Sequence, residues 1–505
     1  MATIPGTDQP DLLLGGVEDD LLQGFEGADT LDGAEGIDTL EGGTGDDVFV
    51  VGETRRTIDG TTDDWEDVVI EGADAGTDTV IWTGIGRYVL GANIENAVAG
   101  AFWSGTLEGN ELDNDLTGWG DEGNYLEGGD GADTLRGGGW DDNLIGGAGN
   151  DLLIGQNDLA DLPGTIDGDD LDGGEGADTM IGGDGYDHYW ADDLGDTLIE
   201  DAPPAGATEL EAYYYSLDSV TWTGVGVYEL ADNVEYLYLR GGSTEALGND
   251  QANILWSEYG SYDEWGELIG DLDVTLDGAG GDDIILGGSG GSDELFGGDG
   301  SDRIEGNMRE DTLHGGAGDD DLHGDSTNFW GGSNDTLFGD EGDDLLTGGL
   351  ANDSLAGGDG IDVLIGDYGN DTLAGGAGAD RFSGGADTDV VLDFTDGEDL
   401  ILGDISSYTI TQDGADTLIT YPGQFGWDAG TLRLIGIDAT TITAEDFLSP
   451  LSGDDQDNNL NGNGEDEFIS AGEGDDQVDA GGGDDGAVGG LGADTMDGGN
   501  GDDTL

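Results

Sequence analysis

One apolar residue returns every nine positions along much of this chain, set among glycines and acids. Leu135, Leu144 and Leu153 occupy the eighth place of GGDGADTLR, GGGWDDNLI and GGAGNDLLI. Glycine opens successive units at Gly128, Gly137, Gly146, Gly155, Gly164, Gly173 and Gly182, a constant step. The pattern Gly-Gly-x-Gly-x-Asp-x-apolar-x predicts a tight turn, because glycine alone takes positive φ without strain. A three-residue strand follows, its apolar side chain facing inward. Two units make one coil of 18 residues, so a repeat of this kind stacks coil on coil. Between the repeats the texture changes. TVIWTGIGRYVLGANIEN around Trp82 matches SVTWTGVGVYELADNVEY around Trp222, and Gly42, Trp82 and Tyr88 each have a counterpart 140 residues on. Array plus spacer has been duplicated. Val80, Trp82, Tyr88 and Leu90 alternate as strands between glycine turns. A last spacer reads as several strands and a short helix capped by Thr443. No long helical period occurs, so the expected fold class is all-β.

The chain divides into a first array at 6–50, a β-rich spacer at 51–108, a second array at 109–190 and the duplicate spacer at 191–247. A third array occupies 248–389, irregular until about Gly278, followed by a β-rich cap at 390–450 and a fourth array at 453–505. The third carries one extra residue near Gly290 and a six-residue insertion at Ser326–Gly331, and the fourth stops within a unit, as in a truncated chain. The sixth-place acids are the candidate ligands. They are Asp11, Asp20, Asp29, Asp38 and Asp47, then Asp133, Asp142, Asp151, Asp169, Asp178 and Asp187. The third array supplies Asp283, Asp293, Asp302, Asp311, Asp320, Asp335, Asp344, Asp353, Asp362, Asp371 and Asp380, and the fourth Asp476, Asp485 and Asp494. Counting half-coils stacks Asp133, Asp151, Asp169 and Asp187 on one side, and Asn124, Asp142, Ala160 and Asp178 on the other. Ala160 then leaves a gap in its column, and Ala160→Asp fills it. Asp344, Asp362 and Asp380 form a column of their own.

Charge sharpens this picture. The formal net charge is −109, from 118 acids against nine bases, all of them Arg. Such a polyanion repels nucleic-acid phosphates and anionic membrane surfaces and attracts cations. Solvation or disorder alone would not need acids in phase with glycines. Like-facing aspartates at the strand spacing of about 4.8 Å repel by roughly 3 kcal/mol per pair at an effective dielectric of about 20. One buried leucine per nine residues does not offset that together with the entropy of ordering the chain. Calcium reverses the sign, since it takes six to eight oxygens in tolerant geometry, backbone carbonyls included. Magnesium fits less well, being smaller, octahedral and slow to dehydrate. No cysteine is present, which removes disulfides and thiolate sites. No window is apolar enough to span a bilayer, and MATIPGTDQPDLLLGG lacks the basic and apolar regions of a signal peptide.

These nonapeptides resemble the RTX, or hemolysin-type, calcium-binding repeat family across the four arrays. The resemblance implies tandem parallel β-rolls, that is β-helix solenoids, separated by β-rich spacer domains. It implies multiple Ca²⁺ ions, each held by sixth-place aspartates of stacked units and by turn carbonyls. GADRFSGGADTDVVLDFTDGEDLILGD is similar to the segment that closes such arrays in serralysin-type proteases. The family also implies a secreted, extracellular protein that leaves through type I secretion machinery and folds outside. No enzyme is expected: His188, His314 and His323 are scattered, no HExxH occurs, and His314 and His323 read as solvated surface. Two other readings stand beside calcium binding coupled to folding. One is the calcium-binding portion of a larger hydrolase or toxin; the other is a surface adhesin with cell-surface or glycan partners. Trp82 and Trp222 suit a glycan platform, though packing in a small β-core is the favoured reading.

Overall fold

A computed structural model describes residues 2–58, 61–73, 75–84, 86–100, 106–118, 123–156, 168–183, 185–200, 218–240, 244–257, 261–262, 268–269, 272–288, 290–325, 332–403, 408–421, 429–448, 451–452, 458–462, 468–473, 476–481, 486–491 and 495–499. Asp485, Asp494 and Ala160 lie outside the described residues. The chain is an all-β parallel β-solenoid, and it separates into two units. One comprises Met1–Gly226, Ala231–Tyr236 and Arg240–Ser243; the other comprises Val227–Leu230, Leu237–Leu239 and Thr244–Leu505.

In the first unit alternate half-coils build separate parallel ladders. Tyr125–Asp130, Asn143–Ala148, Asp170–Glu175 and His188–Ala191 stack on one side, and Thr134–Gly138, Leu152–Gln156 and Thr179–Ile181 on the other. Among the described residues the eighth-place side chain points inward: Leu22, Leu31, Leu40, Leu126, Leu135, Leu144 and Leu153 are all fully buried. Some strands have the expected three residues, as Thr30–Asp32 and Thr179–Ile181 do, and others are longer. Asn143–Ala148 has six, because Gly129↔Gly147 and Asp130↔Ala148 continue the pairing into the next unit's glycines.

The strands of the 51–108 stretch stack in the same direction as those of the arrays. Thr79–Trp82 lies between Val48–Val51 and Asn96–Ala99, and Asn96–Val98 pairs in turn with Asp115–Thr117. Val68–Ile70 pairs with Thr39–Glu41, and Glu53–Ile58 forms an antiparallel hairpin with Thr61–Glu66. The duplicate repeats the arrangement, with Ser219–Trp222 on His188–Ala191. Trp82 and Trp222 are buried, and Trp82 stacks on Tyr88 at 5.1 Å between ring centroids while its indole N–H donates to the Gly86 carbonyl. Packing, not a glycan platform, uses these rings.

The second unit runs its ladders from Glu245–Leu247 and Ile254–Ser257 through the third array to Thr372–Ala377 and Arg381–Ser383. The cap then adds an antiparallel meander, Thr409–Asp413, Asp416–Tyr421 and Gly430–Leu434, whose last strand lies parallel to Asp387–Val391. Leu345 and Val363 stand at the seventh place, mostly threonine or another polar residue in this array, and Ile365 at the ninth. They are buried with Leu402, and Leu448 packs against them. The short helix is one 3₁₀ turn, Ala444–Asp446, closed by a capping box between Thr443 and Asp446. In the fourth array Ile469, Ala471, Val478, Ala480 and Ala487 form a small core.

Candidate metal centres

The described coils deliver their sixth-place aspartates from the turn to the interior, where all but the half-buried Asp11 are almost completely buried. The carboxylate's two oxygens then take different partners. One accepts a backbone hydrogen bond from the aspartate of the preceding coil: the N–H of Asp133 donates to Asp151 Oδ1 at 2.7 Å, and that of Asp353 to Asp371 Oδ1 at 2.8 Å. The other oxygen, Oδ2, folds back over the first glycine of its own unit, so that a Cβ at Gly146 would meet Asp151 Oδ2 and the Gly173 carbonyl. This Oδ2 is buried with no hydrogen-bond partner in Asp29, Asp38, Asp47, Asp133, Asp151, Asp178, Asp283, Asp293, Asp302, Asp311, Asp320, Asp335, Asp344, Asp353, Asp362, Asp371 and Asp389. A buried acceptor left this way costs about 1–3 kcal/mol, more when charged. Rung after rung carries it.

The turns add neutral oxygens. Gly147 and Gly149 have φ of 111° and 148°, and a Cβ on either would collide with the carbonyl of Gly129 or Gly131 from the coil before. Glycine is required there twice over, for the left-handed backbone and for the close approach of a carbonyl.

Electrostatics follow from the stacking. Burial, reinforced by the charges of Asp335 and Asp371, pushes Asp353 up to about 8. Burial first and then Asp344 and Asp380 raise Asp362 to about 8, and Asp311 reaches about 9 by burial with Asp293 and Asp335 beside it. Asp133 rises to about 7, chiefly through burial. Each backbone hydrogen bond opposes these shifts without cancelling them.

The columns match the sequence count in the third array. Asn253, Asp283, Asp302, Asp320, Asp344, Asp362, Asp380 and Asp399 form one ladder; Val274, Asp293, Asp311, Asp335, Asp353, Asp371 and Asp389 form the other. The extra residue and the six-residue insertion lengthen single coils to 19 and 24 residues, and the ladder passes over both. In the second array the count fails after Asp151. Asp142 bonds to Asp169 and Asp151 to Asp178, each across 27 residues, so the columns are Asn124–Asp142–Asp169–Asp187 and Asn114–Asp133–Asp151–Asp178. The ladder steps over the unit that contains Ala160. That unit has no carboxylate at its sixth place to receive the Asp142 N–H, so the next aspartate takes the bond.

Sequence reasoning missed the rungs outside the glycine motif. Asp67 accepts from Asp38 N–H, Asp78 from Asp47, Asp196 from Asp178, Asp218 from Asp187 and Asp399 from Asp380. Their one signal is an aspartate placed one or two residues before a strand that continues a ladder. The first array's Asp11 accepts from Thr7 within its own turn, Asp20 accepts from Ala2 across 18 residues as a rung does, and Asp476 accepts from Asn458 in the fourth. His314 is not simply solvated: ninth-place residues align along the outer face, and its ring lies between Phe296 and Phe338 at 5.0 and 4.6 Å. His323 pairs with Asp321 at 2.9 Å.

Comparison with known proteins agrees with this geometry. The model of the RTX calcium-binding nonapeptide repeat, four copies long, matches residues 5–40, 32–53, 119–158, 163–198, 273–292, 296–328, 331–364, 356–391, 452–487 and 487–505, more than half of the chain. The chain belongs to the RTX calcium-binding repeat family. Among solved structures, this RTX chain is similar to the AlgE6R3 subunit of the Azotobacter vinelandii mannuronan C5-epimerase, at 24% identity over 28% of this chain and 78% of that one, with a TM-score of 0.19. It is also similar to the extracellular lipase LipA from Serratia marcescens, at 16% identity over 48% of this chain and 46% of the lipase, with a TM-score of 0.12. No curated protein matches it in sequence. The aspartate ladders are the RTX repeats seen in three dimensions. Their buried oxygens and turn carbonyls form an all-oxygen donor set, which suits Ca²⁺ and not a metal that prefers nitrogen or sulfur.

Proposed function

We propose that this RTX chain is a secreted, non-catalytic protein whose activity is the uptake of multiple calcium ions coupled to its own folding. The observation that carries the reading is the file of buried, unpartnered Oδ2 atoms. Those of Asp29, Asp38 and Asp47, and of Asp283 through Asp371, recur one per half-coil, and those of Asp133, Asp151 and Asp178 one per coil, with glycine carbonyls in the turn beside them. A divalent ion there takes up an oxygen that nothing else satisfies and removes the repulsion between rungs. With free calcium at about ten times the dissociation constant, each site adds roughly 1.4 kcal/mol to the folded state. Extracellular calcium modules work with dissociation constants of about 10⁻⁴–10⁻³ M. A ladder tuned to that range stays unfolded at low cytosolic calcium and folds outside the cell, which agrees with export through a type I machinery.

Far-ultraviolet circular dichroism of the full chain during titration tests this. Calcium drives a coil-to-β transition, and magnesium at equal concentration does not. A complete β spectrum in excess chelator would remove the coupling between ion and fold.

A further inference from the structure

Where the first array ends, a glutamate stands in for a repeat's backbone. Within the arrays the first glycine of a unit is covered by its own aspartate and by the carbonyl of a glycine one coil on: Gly42 over Gly24, and Gly146 over Gly128. At Gly42 the next coil belongs to the spacer, and that carbonyl is replaced. A Cβ at Gly42 would meet Glu71 Oε2 and Asp47 Oδ2 instead. Asp78, the spacer's rung in the same ladder, completes the group: ligand oxygens of Asp47, Glu71 and Asp78 all lie within 4.8 Å of one another. Asp47 and Asp78 are each 1% exposed, and Asp47 Oδ2, Glu71 Oε2 and Asp78 Oδ2 are buried without a hydrogen-bond partner. Three converging carboxylate oxygens, with no cationic partner among the described side chains, are unfavourable unless a cation sits among them.

The duplication provides a second, separate instance. Asp187 and Asp218 lie 140 residues beyond Asp47 and Asp78, and Glu200 ends Thr-Leu-Ile-Glu as Glu71 ends Val-Val-Ile-Glu. The spacer between Glu200 and Asp218 is longer than its counterpart, yet oxygens of Asp187, Glu200 and Asp218 again lie within 4.8 Å. One difference separates the copies. Tyr189 replaces Phe49, and its hydroxyl donates to Glu200 and accepts from the Gly182 N–H at 2.8 Å.

The geometry points to a distinct calcium site at each junction between array and spacer, made of one repeat aspartate, one spacer aspartate and a glutamate outside the repeat. The oxygen-only, triply anionic donor set selects a hard divalent cation. The Asp47 site is the stronger of the two, because no hydroxyl there competes for the glutamate. Such a site joins the last repeat coil to the first spacer coil, so the spacer's start responds to calcium along with the array.

The test is a long-wavelength anomalous difference map from crystals of the full chain grown in calcium chloride. A peak at about 2.3–2.6 Å from Asp47, Glu71 and Asp78 oxygens is expected, with a second, weaker one at Asp187, Glu200 and Asp218. Glu71→Gln should reduce the first peak at least fivefold and leave the peaks of the repeat turns between Gly128 and Gly155 unchanged. If Glu71→Gln does not fold, the wild-type map decides alone. Ions in the repeat turns with none at the triads would overturn the junction sites while leaving the repeat reading intact. Ions at neither place would overturn both, and ions at the triads alone would uphold the junction sites and overturn the repeat reading.

Discussion

The two oxygens of a rung aspartate divide its work between fold and ion, and the turn glycine makes that division possible. Oδ1 is committed to the backbone N–H of the preceding coil, as Asp151 is to Asp133, so only Oδ2 remains for a ligand role. The turn must therefore supply further oxygens as carbonyls, and it does so by bringing backbone against backbone at Gly131 and Gly149. Gly149→Ala introduces a Cβ into the Gly131 carbonyl at a φ of 148°. The expected cost is about 1–3 kcal/mol in the calcium-bound form. Calcium titration followed by circular dichroism should show a higher midpoint for that variant. An unchanged midpoint would mean that the turn relaxes freely.

At the scale of the half-coil, the ladder's bookkeeping is done by hydrogen bonds and not by sequence count. The nine-residue phase was legible because each unit repeats one inward leucine and one aspartate, and it placed Asp344, Asp362 and Asp380 in one column, as their hydrogen bonds do. It failed at Ala160 because a unit can keep its glycine spacing yet lack the carboxylate that closes a rung. The ladder then joins Asp142 to Asp169. The spacer rungs were illegible for the opposite reason. Asp67, Asp78 and Asp218 close rungs without any GGxG turn, and Glu71 works through space, 24 residues after Asp47. It follows that Ala160→Asp adds a carboxylate where no rung bond is waiting. Calorimetry of the full chain should find calcium affinity and stoichiometry unchanged, and a gain in either would restore the simple count.

At the scale of the molecule, protons and calcium compete for the same oxygens. Without metal the folded state holds Asp133 at about 7, Asp353 and Asp362 at about 8, and Asp311 at about 9, chiefly through burial, against an ordinary value of 3.8. The folded chain then binds more protons than the unfolded one between these limits. Its stability is fully present below the unfolded value near 4 and is lost as pH rises through 7 to 9. Metal-free protein should therefore gain β structure when brought from pH 8 to pH 5, and the calcium concentration needed for half-binding should rise over the same interval. Circular dichroism of the chelated chain checks the first and calorimetry the second; no gain of β signal on acidification would contradict the buried-carboxylate picture. The ladder also has a head and a tail. Along the described ladders the amide of a rung donates to the aspartate of the coil that follows, as Asp344 does to Asp362 and Asp362 to Asp380. In the third array the series ends in the cap, where Asp399 accepts from Asp380 with one oxygen and from Thr395, within its own turn, with the other at 2.7 Å. Asp399 is thus held by its own turn as well as by the ladder. Removing one rung's carboxylate, such as that of Asp362, therefore strips an acceptor from the amide on its amino-terminal side, that of Asp344, and leaves the carboxylates beyond it in place.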